Sequence, residues 1–524
     1  MNKKQIVFWS LLLASSLFGN AQTSPRKLGP ALNDQSFNYS APFISLDGSI
    51  ISFMFDYTDD NTSEPFIALR QGVDWKEPVA IPKKITALSF RRGFTFSPDG
   101  KTIYITSKGG YSQGGFDILV SQLSGTTFSE PQTLGPPINS STNDASPTFS
   151  PDGNLLFFMR CGKMDFNSAS ECKVMMARKR NGMWETPTEL PASINRGNSQ
   201  MPRILGDGQT LVFSSNRHSP NKGGMDFYMS KFSDSGWSEV INLEFANTAA
   251  DEVYCSFTSL GRTLIKDVKG ERRFELIEVP FPLGIRPNAV TRVIGQVTGI
   301  PELTKAYVTV VNLESKQITT RITPDKSGNF NSYLTEGSVY GVYVDPPTDQ
   351  YRYAKKRYDL REGNKVPAFD RMSVSLQPVK SGDQIELSEV YFQPHSSQIE
   401  PTSIIELQKL SKMIRGNPNL KFKIDVSLYG LVKDSVANED LTEVVTDTVM
   451  YEKEFQIDSV TIEIRDSIAV EYTYHNDRTE KQANAIVSFM LQQGVKPENL
   501  SISHQALEEP LAEKRRTAIY LWIR

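Results

Sequence analysis

The sequence predicts a multidomain chain: an all-β five-bladed propeller, then a small β-sandwich, then an α/β C-terminal domain. The first observation behind this is a unit that recurs five times. It closes on Gly48, Gly100, Gly153, Gly208 and Gly261, at steps of 52, 53, 55 and 53 residues. A fixed period in this range marks a propeller, a solenoid or an array. The second observation is that the repeats are built from four short strand-like runs without a helical period, which is the composition of a propeller blade. The third is a change of texture near residue 380, where strand-like and helix-like runs begin to alternate.

Residues 1–21 read as a secretory signal. Lys3 and Lys4 precede an apolar run from Ile6 to Phe18, and Gly19-Asn20-Ala21 suits cleavage between Ala21 and Gln22. The run is too short to span a bilayer, and no later run is long enough, so no transmembrane span is expected in the mature chain. No Cys follows the cleavage site, so lipoprotein processing is not expected. These features predict an exported protein of the periplasm. A net charge of −3 gives no basic footprint, so nucleic acid is not expected as a partner.

Residues 22–283 form the propeller. The repeat reads APFISLDG, GFTFSPDG, SPTFSPDG, MPRILGDG and, in its most worn copy, YCSFTSLG. An Asp-Gly turn between apolar runs signals a hairpin, here leading into Thr102–Thr106, Leu155–Met159 or Thr210–Phe213. A Gly-rich loop and a third strand follow, as in Gly114-Gly115-Phe116-Asp117-Ile118 and Gly223-Gly224-Met225-Asp226-Phe227. A fourth strand begins at Trp75, Phe128, Trp184 or Trp237. The fifth copy lacks its own fourth strand, and Ser24-Pro25-Arg26-Lys27-Leu28-Gly29 resembles Glu130-Pro131-Gln132-Thr133-Leu134-Gly135. The N-terminal strand is therefore expected to complete the last blade, which removes the exposed sheet edges.

Asp47, Asp99, Asp152 and Asp207 precede the turn glycines, where turn chemistry accounts for an aspartate better than catalysis does. Asp117 and Asp226 recur with the repeat, which points to architecture. The basic cluster Arg178-Lys179-Arg180 reads as a solvated hairpin. Cys161 ends one strand and Cys172 begins the next, so adjacent antiparallel strands could bring them within bridging distance; the alternative is two unpaired small hydrophobes. Cys255 would be a buried free thiol. The four His residues show no metal-ligand spacing, so neither a metal nor a cofactor is expected.

Residues 284–290 read as a linker punctuated by Gly and Pro. Residues 291–379 read as a small β unit, with strands at Val293–Val297, Ala306–Asn312, Gln317–Ile322 and Met372–Leu376. In residues 380–524, Ile385–Phe392, Leu420–Val426, Leu500–His504 and Thr517–Ile523 read as strands. Pro401–Gly416 is a helix with Pro401 in its first turn. Thr479–Gln493 is a second helix, capped by Thr479 and stopped by Gly494. The insertion 431–475 holds eleven acidic and three basic residues, and its alternation around Arg465-Asp466 suggests an added β-hairpin.

These motifs carry resemblances. The FSPDG turn and the Gly-Gly-x-Asp strand resemble the TolB-type (WD40-like) beta-propeller repeat, which implies a ring-shaped binding platform more often than an enzyme. The pattern G-x-V, D-x-x-G-x-F and Gly-x-Tyr looks like the carboxypeptidase-regulatory-like β-sandwich. Ile385-x-Leu387…Val390-x-Phe392, Asn417-Pro418, Ala483-x-x-Ile486-Val487…Gly494-Val495 and Pro510…Lys514-Arg515-Arg516 resemble the OmpA-like domain. That family implies non-covalent peptidoglycan binding, with an Asp taking the ammonium and an Arg clamping the carboxylate of the diaminopimelate group. Here Tyr429 falls at the Asp position and Gln482 at the Arg position, and neither supplies the charge. Asp425 and Arg478 are nearby substitutes. The domain string is similar to Bacteroidetes OmpA family envelope proteins, in particular the peptidoglycan-associated periplasmic component of type IX secretion.

The reading that follows is a non-enzymatic periplasmic scaffold or adaptor, associated with the outer membrane and cell wall. It would bind envelope proteins through the propeller and the acidic hairpin. The alternatives are a peptidoglycan-binding wall anchor and a glycan-acting propeller enzyme.

Overall fold

The Asp-Gly motif folds because its own side chains complete the turn. Ser45, Ser97 and Ser150 each donate their hydroxyl to the aspartate two residues on, at 2.7, 2.5 and 2.5 Å. The same carboxylate oxygen accepts the backbone N–H of Ser49, Lys101 or Asn154 beyond the glycine. The five closing glycines all hold φ between 58 and 72°, the left-handed region that lacks a Cβ penalty only for glycine. The computed structural model describes residues 24–34, 37–57, 63–86, 89–109, 112–233, 235–364, 366–394, 396–430, 443–458, 462–508 and 516–524. These fall into two compact units, divided between Val290 and Thr291. The signal segment and Ala21-Gln22 lie outside the described residues.

The first unit is a propeller of antiparallel sheets. The sheet of the third repeat runs Asn143–Phe149, Leu155–Met164, Ala169–Arg180 and Met183–Trp184, with Thr188–Glu189 also paired to the third strand. The fourth strand is thus two short pieces, and Pro187 lies between them; proline has no N–H to continue a ladder. Neighbouring sheets share apolar cores. Ile118 and Ile138 pack with Leu156 and Phe158, and Phe157 packs with Leu211 and Phe213. Each such side chain contributes about 1.5–3 kcal/mol on burial. Arg26–Lys27 pairs with Phe274–Pro280, placing Arg26 opposite Glu278 and Lys27 opposite Ile277. Leu28 and Leu32 then join Ile265 and Leu276 of the fifth sheet to Tyr39, Ile51 and Phe53 of the first.

The Gly-Gly-x-Asp motif ties one sheet to the next. A Cβ on Gly114 would lie 2.2 Å from the carbonyl oxygen of Ser141, and one on Gly223 would lie 2.2 Å from that of Ala250. Asp117 and Asp226 are fully buried and each accept the N–H four residues earlier, from Gln113 and Lys222, at 2.6 Å. Cys161 and Cys172 are register partners in a hairpin and form a disulfide, with Cα atoms 4.0 Å apart. Cys255 is a buried free thiol.

In the second unit, a three-stranded sheet (Asn329–Thr335, Val290–Thr298, Phe369–Ser375) accompanies a four-stranded one (Gln317–Ile322, Tyr307–Asn312, Val339–Asp345, Ala354–Asp359). A further sheet orders Gln384–Glu386, Arg516–Ile523, Phe422–Gly430 and Leu500–Glu508, with the last two strands parallel. Phe422, Ile424 and Val426 pack against Leu407, Leu410 and Ile414 of the helix Ile404–Gly416, and against Ala483, Ile486 and Met490 of the helix Thr479–Gln492. Among the described residues, no helix is long and apolar enough to cross a membrane.

Three local expectations are corrected. The strand expected at Ile385–Phe392 ends at Glu386, because Leu387 and Val390 turn inward to the core and Val390 N–H closes onto the Leu387 carbonyl. Thr479 is not the cap of its helix; Arg478 holds the N-cap position without a side-chain cap, and the Thr479 N–H and hydroxyl both donate to Asp477. The added hairpin pairs Glu443–Gln456 with Ile462–His475, so Arg465-Asp466 sits mid-strand rather than at its turn. Arg465 and Asp466 keep the period-2 alternation unbroken, and that outweighs their polarity.

Candidate functional site

The innermost strand of each repeat lines the ring axis, and two positions of the motif put their side chains there. Seven residues before the closing glycine stand Ala41, Gly93, Ser146, Met201 and Tyr254. The first four occupy left-handed backbone, with φ of 49, 94, 52 and 49°. A β-bulge follows from this in each of those strands, between Ser40 and Phe43, Arg91 and Thr95, Ala145 and Thr148, and Gln200 and Arg203. Three of the four are not glycine, and that conformation costs about 1–2 kcal/mol per residue. Tyr254 of the fifth sheet lies against Gly93 of the second, where an added Cβ would meet its ring at 3.5 Å. The Ser146 hydroxyl donates to the Met201 sulfur at 2.9 Å. These contacts join the fifth repeat to the second and the third to the fourth.

Five residues before the glycine stand Phe43, Thr95, Thr148, Arg203 and Ser256. Arg203 is 3% exposed. Its Nε donates to the Cys255 carbonyl at 3.3 Å and its Nη1 to the Pro202 carbonyl at 2.8 Å. The guanidinium lies 5.0 Å above the Phe43 ring, from the far side of the axis. Among the described residues no carboxylate pairs with it. Burial lowers its pKa to about 10, because a desolvated cation is costly. It lines a cavity of about 40 Å³, to which all five repeats contribute. The Ser256 hydroxyl also lines this cavity and accepts the Ile44 N–H at 2.8 Å. The Thr95 hydroxyl is buried and has no hydrogen-bond partner among the described residues.

A second charged cluster lies by the fifth sheet. Lys266, 2% exposed, donates to Glu252 at 2.5 Å and to the Ala246 carbonyl at 2.7 Å. Asp267 follows Lys266, and its carboxyl is pushed up to about 6, first by burial and then by the Glu252 charge. The Ala41 N–H, on the axial tier, opposes that rise. Burial likewise pushes the Cys255 thiol up to about 12.

The C-terminal positions named from the sequence fall on two sides of one sheet. Asp425 and Tyr429 project from the face of Phe422–Gly430 opposite the core residues Ile424 and Val426. Asp425 accepts the Ser503 hydroxyl at 2.8 Å and the Trp522 indole N–H at 3.4 Å. The Arg516 guanidinium lies 4.5 Å from the Tyr429 ring centre. Gln482 and Arg478 are buried at the start of Thr479–Gln492, which packs on the other face. The Gln482 N–H donates to the Arg478 carbonyl at 2.8 Å. The structure sets Asp425 and Tyr429 on one face of a strand, four residues or about 13 Å apart, and Arg478 one turn from Gln482 on the other side of the sheet, so the four are not brought together.

Sequence reasoning missed two features. Arg203 is the only charged residue at its position among the five copies, and that oddity was its signal. The second is an asparagine clamp. Asn139, Asn195, Asn247 and Asn33 each accept the N–H and donate to the C=O of one third-strand residue: Ile118, Val174, Phe227 and Leu276. Its signal was the shared Leu-Gly-Pro start and closing Asn of residues 28–33 and 134–139.

No protein-family profile and no curated protein matches the chain. Solved structures are similar to it in fold. A TolB-like protein from Agrobacterium tumefaciens is 13% identical, covers 57% of this chain and 90% of its own, and has a TM-score of 0.29. An endo-arabinase from Bacteroides thetaiotaomicron is 14% identical, covers 49% and 98%, and has a TM-score of 0.34. The catalytic domain of a Coprinopsis cinerea GH62 alpha-L-arabinofuranosidase is 9% identical, covers 49% and 96%, and has a TM-score of 0.33. Several neighbours are thus glycoside hydrolases by name, and the expectation that this chain is no enzyme is corrected accordingly.

Proposed function

We propose that this chain is an exported envelope protein whose propeller, read as a closed five-bladed TolB-type ring, takes hold of an acidic group at its axis. The observation that carries the reading is Arg203. A guanidinium that is 3% exposed, without a carboxylate, beside a cavity lined by all five repeats is poised for an anion from outside. Phe43 and the hydroxyls of Thr148 and Ser256 complete a site suited to a carboxylate tip. In this reading residues 291–379 are a spacer sandwich and residues 380–524 an OmpA-like domain. The domain string supports a place in the periplasm near the outer membrane and cell wall, among envelope proteins and with peptidoglycan as a further ligand.

The test uses the full chain and short peptides that differ only in Glu against Gln. The Glu peptide should raise the melting temperature and the Gln peptide should not, since a ligand stabilises the state it binds. Arg203→Met, which keeps an unbranched stem and removes the guanidinium over Phe43, should abolish the response. Equal shifts from both peptides, or a response that survives Arg203→Met, would sink the reading. Co-sedimentation with purified sacculi tests the wall-binding part, with Tyr429→Asp combined with Gln482→Arg in the same run.

One observation favours a glycan-acting enzyme as a second reading. Burial and the charge of Glu252, the ion-pair partner of Lys266, push the Asp267 carboxyl up to about 6. Glycoside hydrolysis uses a protonated and an ionised carboxyl in partnership. Hydrolysis of any member of a glycan panel, lost in Asp267→Asn, would establish this reading. Its absence across the panel would remove it.

A further inference from the structure

The hairpin Glu443–Gln456 with Ile462–His475 pairs fourteen residues on each strand as a two-stranded sheet of its own. At about 3.3 Å per residue it is a ribbon about 46 Å long. An isolated two-stranded ribbon is marginal in water, because neither face is covered. The register sorts its side chains. One face carries Met450 opposite Ile468, Thr448 opposite Val470, Thr446 opposite Tyr472 and Gln456 opposite Ile462. Met450 is 70% exposed, Ile468 67%, Ile464 59% and Tyr472 58%. In the middle of this apolar ladder Glu452 stands opposite Asp466, and Glu454 opposite Ile464. Like charges directly opposed destabilise a strand pair. Among the described residues this face has no Lys or Arg; Lys453 and Arg465 point to the other one.

We infer that this face docks a protein segment in which apolar side chains flank a central Lys or Arg. Such a segment covers the ladder and neutralises Glu452 and Asp466 together. A second copy of the ribbon, laid face to face, would bury three acids from each chain with no base between them. An anionic bilayer would repel the same acids. The charge pattern therefore selects a basic, apolar segment over both.

The probe is a labelled peptide of about twelve residues, the length of one long strand, that alternates Val with Thr around two central Lys residues. Its counterpart has Glu in place of Lys. With the full chain, the Lys peptide should bind by fluorescence anisotropy and the Glu peptide should not. Binding should weaken as salt rises. Glu452→Lys combined with Asp466→Lys should weaken the Lys peptide at least about 10-fold and let the Glu peptide bind. Met450→Asp combined with Ile468→Asp should cost a similar factor. These side chains are exposed, so the melting temperature serves as the control for folding. Equal binding of the two peptides, or unchanged affinity in either variant, overturns the inference. So does self-association in sedimentation that Met450→Asp abolishes, or pelleting with anionic vesicles.

Discussion

Asn139 satisfies both the N–H and the C=O of Ile118 while itself buried. Asn139→Ala leaves the buried Ile118 N–H unpaired, while the Ile118 carbonyl keeps the Leu134 N–H at 3.0 Å; one orphan costs about 1–3 kcal/mol. Asn139→Ala should therefore lower stability by about 1–3 kcal/mol in denaturant unfolding, and Asn195→Ala by a similar amount; losses within 0.5 kcal/mol would show that the clamp is idle. Asp267 gives a pH-dependent case. Its folded carboxyl titrates near 6, above the value of an exposed aspartate. The native state therefore binds the proton more tightly than the unfolded chain. Its contribution is most favourable below about pH 4 and is lost as pH rises through about 6. Asp267→Asn should gain on the wild type above pH 6, by an amount on the order of 2 kcal/mol, and the gap should close toward pH 4. The carboxamide oxygen can still accept the Ala41 N–H. A constant gap from pH 4 to 8 would rule out titration of Asp267 as its source.

At the scale of the element, the disulfide links two strands already paired in one hairpin. Its partners are 11 residues apart. Closing a loop of that size stabilises by up to about 3 kcal/mol, and less where the unfolded hairpin keeps residual structure. Cys161→Ala combined with Cys172→Ala should cost about 1–3 kcal/mol and leave the fold intact, read by urea unfolding under oxidising conditions. Peptide mapping without reductant should find Cys161 and Cys172 in one linked pair. What was legible at this scale follows from locality. The turn aspartates, the Gly-Gly loops and the strand that pairs Arg26–Lys27 with the fifth sheet act over short stretches that repeat, so comparing copies exposes them. The bulges at Ala41, Ser146 and Met201 were not legible, because no residue type there signals left-handed backbone. The N-cap position fell one residue before Thr479, on Arg478, and no side-chain type there signals a cap. The hairpin turn was misplaced because Arg465-Asp466 looks like a turn but alternates like a strand. The Arg203 site needed the folded unit, since only there do residues of five sequence-distant repeats line one cavity.

At the scale of the second unit, residues 291–379 and 380–524 read as two domains in sequence yet form one compact body. Ion pairs explain this. Lys409 pairs with Asp345, Lys355 with Glu406 at 2.8 Å, and Arg357 with Glu389 at 3.2 Å, each joining the sandwich to the α/β part. Glu406 is the keystone: 1% exposed, it accepts the Tyr353 hydroxyl at 2.5 Å and stands 2.8 Å from the Lys355 ammonium as its ion-pair partner. Burial and this neighbouring carboxylate hold the Tyr353 hydroxyl far above its usual range, so it stays a donor at any physiological pH. Charges cross between sequence-distant segments here, so neither half alone displays them as a pattern. Removing one partner of a buried pair strands the others, at about 3–5 kcal/mol when fully buried, and less here because Lys355 is partly exposed. Glu406→Ala should therefore lower the stability of this unit by about 2–4 kcal/mol. Glu406→Gln, which can still accept from Tyr353, should cost less. In calorimetry, a fragment of residues 291–524 should unfold in one transition, and Glu406→Ala should broaden or split it. A wild-type fragment that already unfolds in two steps would mean that the ion pairs do not couple the two parts.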